Sequence, residues 1–270
     1  MGAEDNQPDW NRIAEKFDIW LPQIAPVGEA LLNSLDMVPG DRILDVASGT
    51  GEPALTLARR NRGDIEIVGI DSADGMVRVA QAKVGAENLP GIRFECMPAE
   101  DLRFADNSFD RVLCRFGVML FESPAKGLYE MRRVLKPGGQ FALAVWSTPE
   151  TMPTLYWAYE VFRDRIEADL YPPLIKVTSL GGLGVLEELL DQTGFSEYVI
   201  ETQTFQYQFD SFDEYWDAIE ASEILKQQFA ALASAERQTI RDEVGTFARN
   251  FVTDHGLRIP HDFLLAKGIK

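Results

Sequence analysis

Residues 43–58 read ILDVASGTGEPALTLA, and this stretch decides the fold. Ile43, Leu44 and Val46 form the short apolar run of a strand covered on both faces, as in a parallel sheet. Gly49 and Gly51 allow a sharp turn and let a ligand approach the main chain. Pro53 suits the first turn of a helix, which Ala54, Leu55, Leu57 and Ala58 carry onward. Strand, glycine turn and helix in this order build a nucleotide pocket at the carboxyl end of a parallel sheet.

Two cofactors compete for such a turn. Gly49-Thr50-Gly51-Glu52-Pro53-Ala54 matches the G-x-G-x-x-A dinucleotide fingerprint, and Asp71 lies near the distance of a ribose-binding acid. An NAD(P)-dependent Rossmann-fold enzyme is therefore one reading. The charges favour another. Asp45 closes the strand and Glu52 stands at the helix start, where a pyrophosphate would need its anion site. S-adenosylmethionine carries an ammonium, a sulfonium and a carboxylate, so acids near its methionine end fit its net positive charge. The next unit repeats the logic: IEIVGI, residues 65–70, is a buried strand ended by Asp71, with Ser72 expected as helix cap. The two coplanar oxygens of Asp71 can accept both ribose hydroxyls of an adenosine.

Four blocks carry a family resemblance: LDVASGTGEPALTLA (44–58), VGIDSADGMVRVA (68–80), PAEDLRFADNSFDRVLCRFGVMLFESP (98–124) and LYEMRRVLKPGGQFALAVW (128–146). In this order they resemble the class I S-adenosylmethionine-dependent methyltransferases, close to the UbiE-like group (methyltransferase type 11) with its quinone-biosynthesis C-methyltransferases. The resemblance implies a Rossmann-like, doubly wound α/β fold, its seven-stranded sheet ordered 3-2-1-4-5-7-6 with strand 7 antiparallel. It implies that Asp45, Ala47, Ser48 and Gly49 line the methionine moiety, with Thr50 and Gly51 shaping the turn. Asp71 would hold the ribose, with Ser72 and Met76 beside the adenine. Ala99 and Glu100 would border the adenine amine. Cys114, Arg115 and Phe116 would stand near the cofactor amine and the transferable methyl. Relatives often carry Asp before the Ala-Glu pair; here Pro98 stands there, which can neither accept through a side chain nor donate from its backbone.

Composition narrows the function further. The chain has 270 residues, a formal net charge of −17 and two cysteines, Cys96 and Cys114. Such acidity argues against a nucleic-acid partner. The densest basic patch, MRRVLK at 131–136, falls at a helix end where cations complement the dipole. Two distant cysteines suggest free thiols in a reducing cytoplasm and supply no zinc spacing, so no metal site is expected. No apolar run is long enough to cross a bilayer. The opening MGAEDNQPDW is too polar for a signal peptide, and Gln7 stands where a myristoylation motif has Ser or Thr.

The rest of the chain should recognise the methyl acceptor. Residues 9–37 are expected to be helical, with Trp10, Ile13, Phe17, Trp20 and Leu21 on an apolar face and Pro22 and Pro26 as breaks. In the family such a segment folds over the cofactor as a lid. Residues 150–173 read as one helix rich in aromatics, including Tyr156 and Trp157. The spacing at 211–256 predicts a second helical insertion. These pieces suggest a single methyltransferase domain over 1–270: core about 38–148, 181–210 and 257–270, helical cap about 9–37, 150–180 and 211–256. Phe17, Trp20, Trp146, Tyr156 and Trp157 are the candidate lid and substrate residues, suited to a small lipophilic acceptor methylated on carbon or oxygen. His255, His261 and Tyr156 are the candidate bases, although methyl transfer can proceed by alignment alone. A non-catalytic cofactor-binding protein is the remaining alternative.

Overall fold

A computed structural model describes residues 8–270. The readings made on residues 1–7, a leader or an acylation site, lie outside the described residues. Strands β1 (Arg42–Val46), β2 (Glu66–Asp71), β3 (Ile92–Cys96), β4 (Phe109–Arg115), β5 (Leu135–Trp146), β6 (Glu197–Phe209), β7 (Val252–Thr253) and β8 (Gly256–Ile269) form one sheet, ordered β3-β2-β1-β4-β5-β8-β6, with β7 against β8. The first five pair in parallel, and β8 runs antiparallel between β5 and β6. This is the expected Rossmann-like path with one renumbering. The two-residue β7 precedes the last strand and is exposed, so it leaves no periodic pattern to read.

Consecutive residues of β1, β2 and the second half of β5 are buried, which requires helices on both faces of the sheet. Five helices flank or follow the first strands: α1 (Trp10–Phe17), α2 (Leu21–Asn33), α3 (Ala54–Asn61), α4 (Asp74–Glu87) and α5 (Pro124–Val134). Later come α6 (Pro153–Phe162), α7 (Leu174–Val177), α8 (Val185–Gln192), α9 (Phe212–Ser222), α10 (Lys226–Ala230) and α11 (Ser234–Ala248). Trp157 of α6 packs with Tyr215, Phe247 and Phe251, an aromatic cluster that ties the two late insertions together.

Several local expectations are corrected. Pro26 lies inside α2 without ending it. An interior proline costs about 3 kcal/mol, and burial of Ile24, Val27, Leu31 and Leu32 on the same helix offsets this. The aromatic stretch 150–173 is three pieces, with α6 between the short turns Pro149–Thr151 and Ala168–Leu170. Pro53 stands one residue before α3, at its cap. Ser72 is not the cap of α4; Ala73 holds that position.

Candidate active site

The turn after β1 is built around left-handed backbone. Ala47 (φ 56°), Gly49 (φ 55°) and Gly51 (φ 107°) all adopt it, and so does Phe116 (φ 59°) just after β4. Two non-glycine residues in this region, at neighbouring strand ends, mark strain held by close packing. A Cβ on Gly117 would meet the Ala47 Cβ at 2.5 Å and the Cys114 Sγ at 2.7 Å, so the two loops abut. A Cβ on Gly49 would meet nothing within 4 Å and points into open space.

Asp45 is 1% exposed, and neither carboxylate oxygen has a hydrogen-bond partner. Burial pushes its pKa up to about 8, and the nearby Arg115 charge and Ala54 N–H pull it back only in part. Ser48 Oγ, 3% exposed, is likewise unpartnered. Orphaned groups of this kind are rare and costly without a ligand. Asp71 is arranged differently: Oδ2 accepts Gly49 N–H at 2.9 Å and Oδ1 accepts Ala73 N–H at 2.9 Å. Burial raises its pKa, while the Ala73, Gly49 and Ser72 amides oppose that rise. Each Asp71 oxygen keeps a lone pair for a further donor.

Glu52 fills the start of α3 itself. Its Oε2 accepts Thr56 N–H at 3.0 Å and its Oε1 pairs with Arg59 at 2.6 Å. The helix amide that would greet a pyrophosphate is thus already taken by a protein carboxylate. Arg115 donates to Glu52 O at 2.8 Å and Ile24 O at 3.4 Å, both backbone carbonyls.

The N-terminal segment is pinned over this turn. Asn11 Oδ1 accepts Gly75 N–H at 2.8 Å and so caps α4 from α1, the role expected of Ser72. Gly75 is required there, since a Cβ would lie 2.8 Å from Asn11 O. Asp18 accepts the Thr50 hydroxyl at 2.6 Å and pairs with Lys83 at 2.6 Å; Lys83 also donates to Thr50 O at 2.9 Å. Along α1, Arg12 and Lys16 both pair with Glu223, just past α9. None of Asn11, Asp18 and Lys83 sits in a motif, so the sequence offered no signal for them.

Beyond the turn lies an aromatic wall. Phe116 stacks on Trp146 at 3.8 Å, Trp146 neighbours Phe205, and Tyr207 stacks on His261 at 4.2 Å. Trp20 approaches Tyr207 (6.1 Å) and Phe209 (6.5 Å). His261 is fully buried, with Nδ1 against Ile259 O at 3.1 Å and Nε2 against the Thr154 hydroxyl at 2.8 Å. Burial lowers its pKa to about 4.

Printed contacts aside, direct links join several of these candidates: Asp71 accepts from Gly49, Asp18 accepts from Thr50, the Gly117 position abuts Ala47, Arg115 reaches the Glu52 carbonyl and Phe116 stacks on Trp146. Other candidates have different partners. Met76 is buried with Ile13 and Ala14 under α1, and Phe17 packs at that cluster's edge. Glu100 accepts Ser123 N–H at 3.2 Å at the start of α5. Cys114 is buried, its thiol pKa pushed up to about 12, which leaves no nucleophile there. Trp157 belongs to the cap core, Tyr156 is 40% exposed and His255 is exposed on the β7–β8 turn. Those last two candidate bases are solvent-exposed. His261 is buried, with both ring nitrogens already engaged.

Residues 44–143 match the family profile described as a methyltransferase domain. The chain is 38% identical over 151 residues to the ubiquinone/menaquinone biosynthesis C-methyltransferase UbiE of Geotalea daltonii, covering 51% of this chain and 64% of that protein. It is 33% identical over 187 residues to the demethylmenaquinone methyltransferase of Bacteroides fragilis, covering 64% and 75%. Against two further UbiE relatives the chain spans 44% and 52% of their length. A solved structure of Haemonchus contortus phosphoethanolamine N-methyltransferase 2, in complex with phosphomonomethylethanolamine and S-adenosylhomocysteine, shares the fold with a TM-score of 0.59 at 21% identity, over 94% of this chain and 56% of that one. No helix among the described residues is long and apolar enough to cross a membrane.

Proposed function

The chain belongs to the class I S-adenosylmethionine-dependent methyltransferases, in their UbiE-like group, and from this premise we propose that it methylates a small, lipophilic, quinone-like molecule. The observation that carries the reading is Asp45: a buried carboxyl with two unpartnered oxygens, beside an open glycine turn, suits a cationic ligand. The competing dinucleotide reading meets Glu52 at the helix start and loses its anion site.

Bound in this cleft, S-adenosylmethionine supplies a methyl group on a positively charged sulfur. Asp45 and Ser48 would hold its amino-acid end, and Asp71 its ribose. Ala99, Glu100 and Met76 are assigned to the adenine side, with Ser72 at its rim. Phe116 and Trp146 form a flat wall for an acceptor ring. The segment α1–α2, latched through Asp18 and Thr50, excludes water from the cleft. Holding the partners in line supplies most of the acceleration, so carbon or oxygen methylation needs no dedicated histidine. We read 1–270 as one domain, with the core at 38–148, 181–210 and 257–270 and the rest as cap. It would act in the cytoplasm on a small molecule, and the charge of −17 speaks against a nucleic-acid partner.

Calorimetric titration tests the reading. Saturable binding of S-adenosylhomocysteine with no heat from NADH is expected; binding of NADH alone would overturn it.

A further inference from the structure

The basic run at the end of α5 takes no part in the cofactor cleft. Asp45, Asp71 and Arg115 stand at or near the carboxyl ends of β1, β2 and β4. Arg132 and Arg133 close α5 just ahead of β5, whose first residue Leu135 pairs with Phe109 at the start of β4. This is the opposite end of the parallel strands. A surface cavity of about 190 Å³ opens there, lined by Asp106, Asn107, Tyr129, Arg132, Arg133 and Lys270.

The three cations on its wall differ in what they hold. Arg133 is saturated by Glu130, Asp106 and the Leu102 and Phe104 carbonyls. Lys270 spends its N–H groups on Asn107 Oδ1 (2.8 Å), Leu135 O (2.7 Å) and Arg133 O (3.3 Å), none of them a carboxylate. Arg132 has no hydrogen-bond or ion-pair partner among the described residues, and its Nε is shut off from water. The Gly194 turn packs directly on it, since a Cβ there would lie 3.3 Å from Arg132 Cζ and Nε. A buried donor without an acceptor costs free energy unless a ligand supplies one.

The nearby acids do not balance these charges. Asp106 and Glu130 are both spent on Arg133. Burial and the charges of Arg132 and Arg133 hold the Lys270 pKa below the usual lysine value, with Asp106 opposing them. A helix C-terminus ordinarily repels anions, but here its carbonyls are covered. Arg133 O and Val134 O accept the Asn107 and Ser108 N–H groups at 3.0 and 2.7 Å, and Leu135 O accepts from Lys270. The wall thus offers an anion the Arg132 guanidinium, the Tyr129 hydroxyl and the Asn107 NH2 group.

We propose that Arg132, Lys270, Tyr129 and Asn107 form a phosphate site, for inorganic phosphate or the phosphate monoester of a small molecule, at the end of the sheet remote from the methyl-transfer cleft. Two cations without counter-ions match a dianion, and guanidinium, hydroxyl and amide donors match a tetrahedral group of oxygens. The site shares no residue with the cofactor cleft, so it stands whether or not the cofactor reading does.

Calorimetry on the full chain tests this with inorganic phosphate and glycerol 3-phosphate at constant ionic strength, with and without saturating S-adenosylhomocysteine. Saturable binding of one probe per chain, unaltered by S-adenosylhomocysteine, is expected. Arg132→Gln should weaken it by about tenfold, and Tyr129→Phe by a few-fold. Tyr129 is 58% exposed, so its substitution leaves the fold intact and keeps the test open if Arg132→Gln unfolds. Arg62→Gln removes the same charge from an exposed position elsewhere and should change nothing. Tighter glycerol 3-phosphate identifies the ligand as a monoester and tighter phosphate as the free ion; either supports the site. Absence of saturable binding overturns the proposal. So does equal loss in Arg62→Gln and Arg132→Gln, or displacement of phosphate by S-adenosylhomocysteine.

Discussion

At Asp45 the cofactor-free protein keeps a carboxyl where its charge is poorly solvated, and the pH dependence follows from that. Its pKa of about 8 lies well above the ordinary value of 3.8, so the folded chain holds a proton that the unfolded chain gives up. The stability linked to this residue is present below about pH 4 and is lost as pH rises toward 8. A ligand bearing an ammonium needs the ionised form. Binding of S-adenosylhomocysteine at pH 7 should therefore release close to one proton, measurable by calorimetry in buffers of different ionisation enthalpy, and affinity should climb with pH up to about 8. Asp45→Asn should bind more weakly and release none; undiminished proton release in that variant would remove the assignment. Asp71 calls for a gentler substitution. Alanine would free the Gly49 and Ala73 amides and disturb the turn itself. Asp71→Asn keeps an acceptor while losing the charge, and should weaken S-adenosylhomocysteine binding by about 1.5 to 3 kcal/mol.

At the level of elements, the lid is a set of small attachments. One amide is capped by Asn11, one hydroxyl is held by Asp18, and one carboxylate past α9 gathers Arg12 and Lys16. The Asn11 and Asp18 attachments are partly exposed, so each is worth about 1 kcal/mol or less, and the Glu223 pairs are screened by solvent. Asp18→Ala removes the Thr50 hydrogen bond and the Lys83 pair together. It should speed release of S-adenosylhomocysteine several-fold in a stopped-flow experiment while barely moving the melting temperature. Combined with Lys83→Ala the effect should be less than additive, because both act on one latch; full additivity would mean that they do not. Such attachments were invisible beforehand, since an Asn on one helix capping another leaves no pattern along the chain. The core elements were legible for the opposite reason: β1 and β2 carry unbroken apolar runs, and a glycine turn leads from β1 into α3. Pro26 shows the limit of that reading, where packing outweighed a local preference.

For the whole molecule, a charge of −17 means that folding gathers many carboxylates into a small volume. Raising salt from about 0.01 M to about 1 M shortens the screening length from about 30 Å to about 3 Å. The melting temperature should rise over that range; a fall would show that the surface ion pairs outweigh the repulsion.

Motif order in the chain determined the fold class, the glycine turn and the two acids beside it, because these depend on neighbours a few residues apart. Only tertiary structure decided which of those polar groups have partners. Glu52 and Glu100 were already engaged, and Asp45, Ser48 and Trp20 were left open. It also left Tyr156 and His255 exposed and seated Arg115 against the Ile24 carbonyl of α2. Partnering and burial depend on segments distant in sequence, and no spacing along the chain encodes which of them will meet.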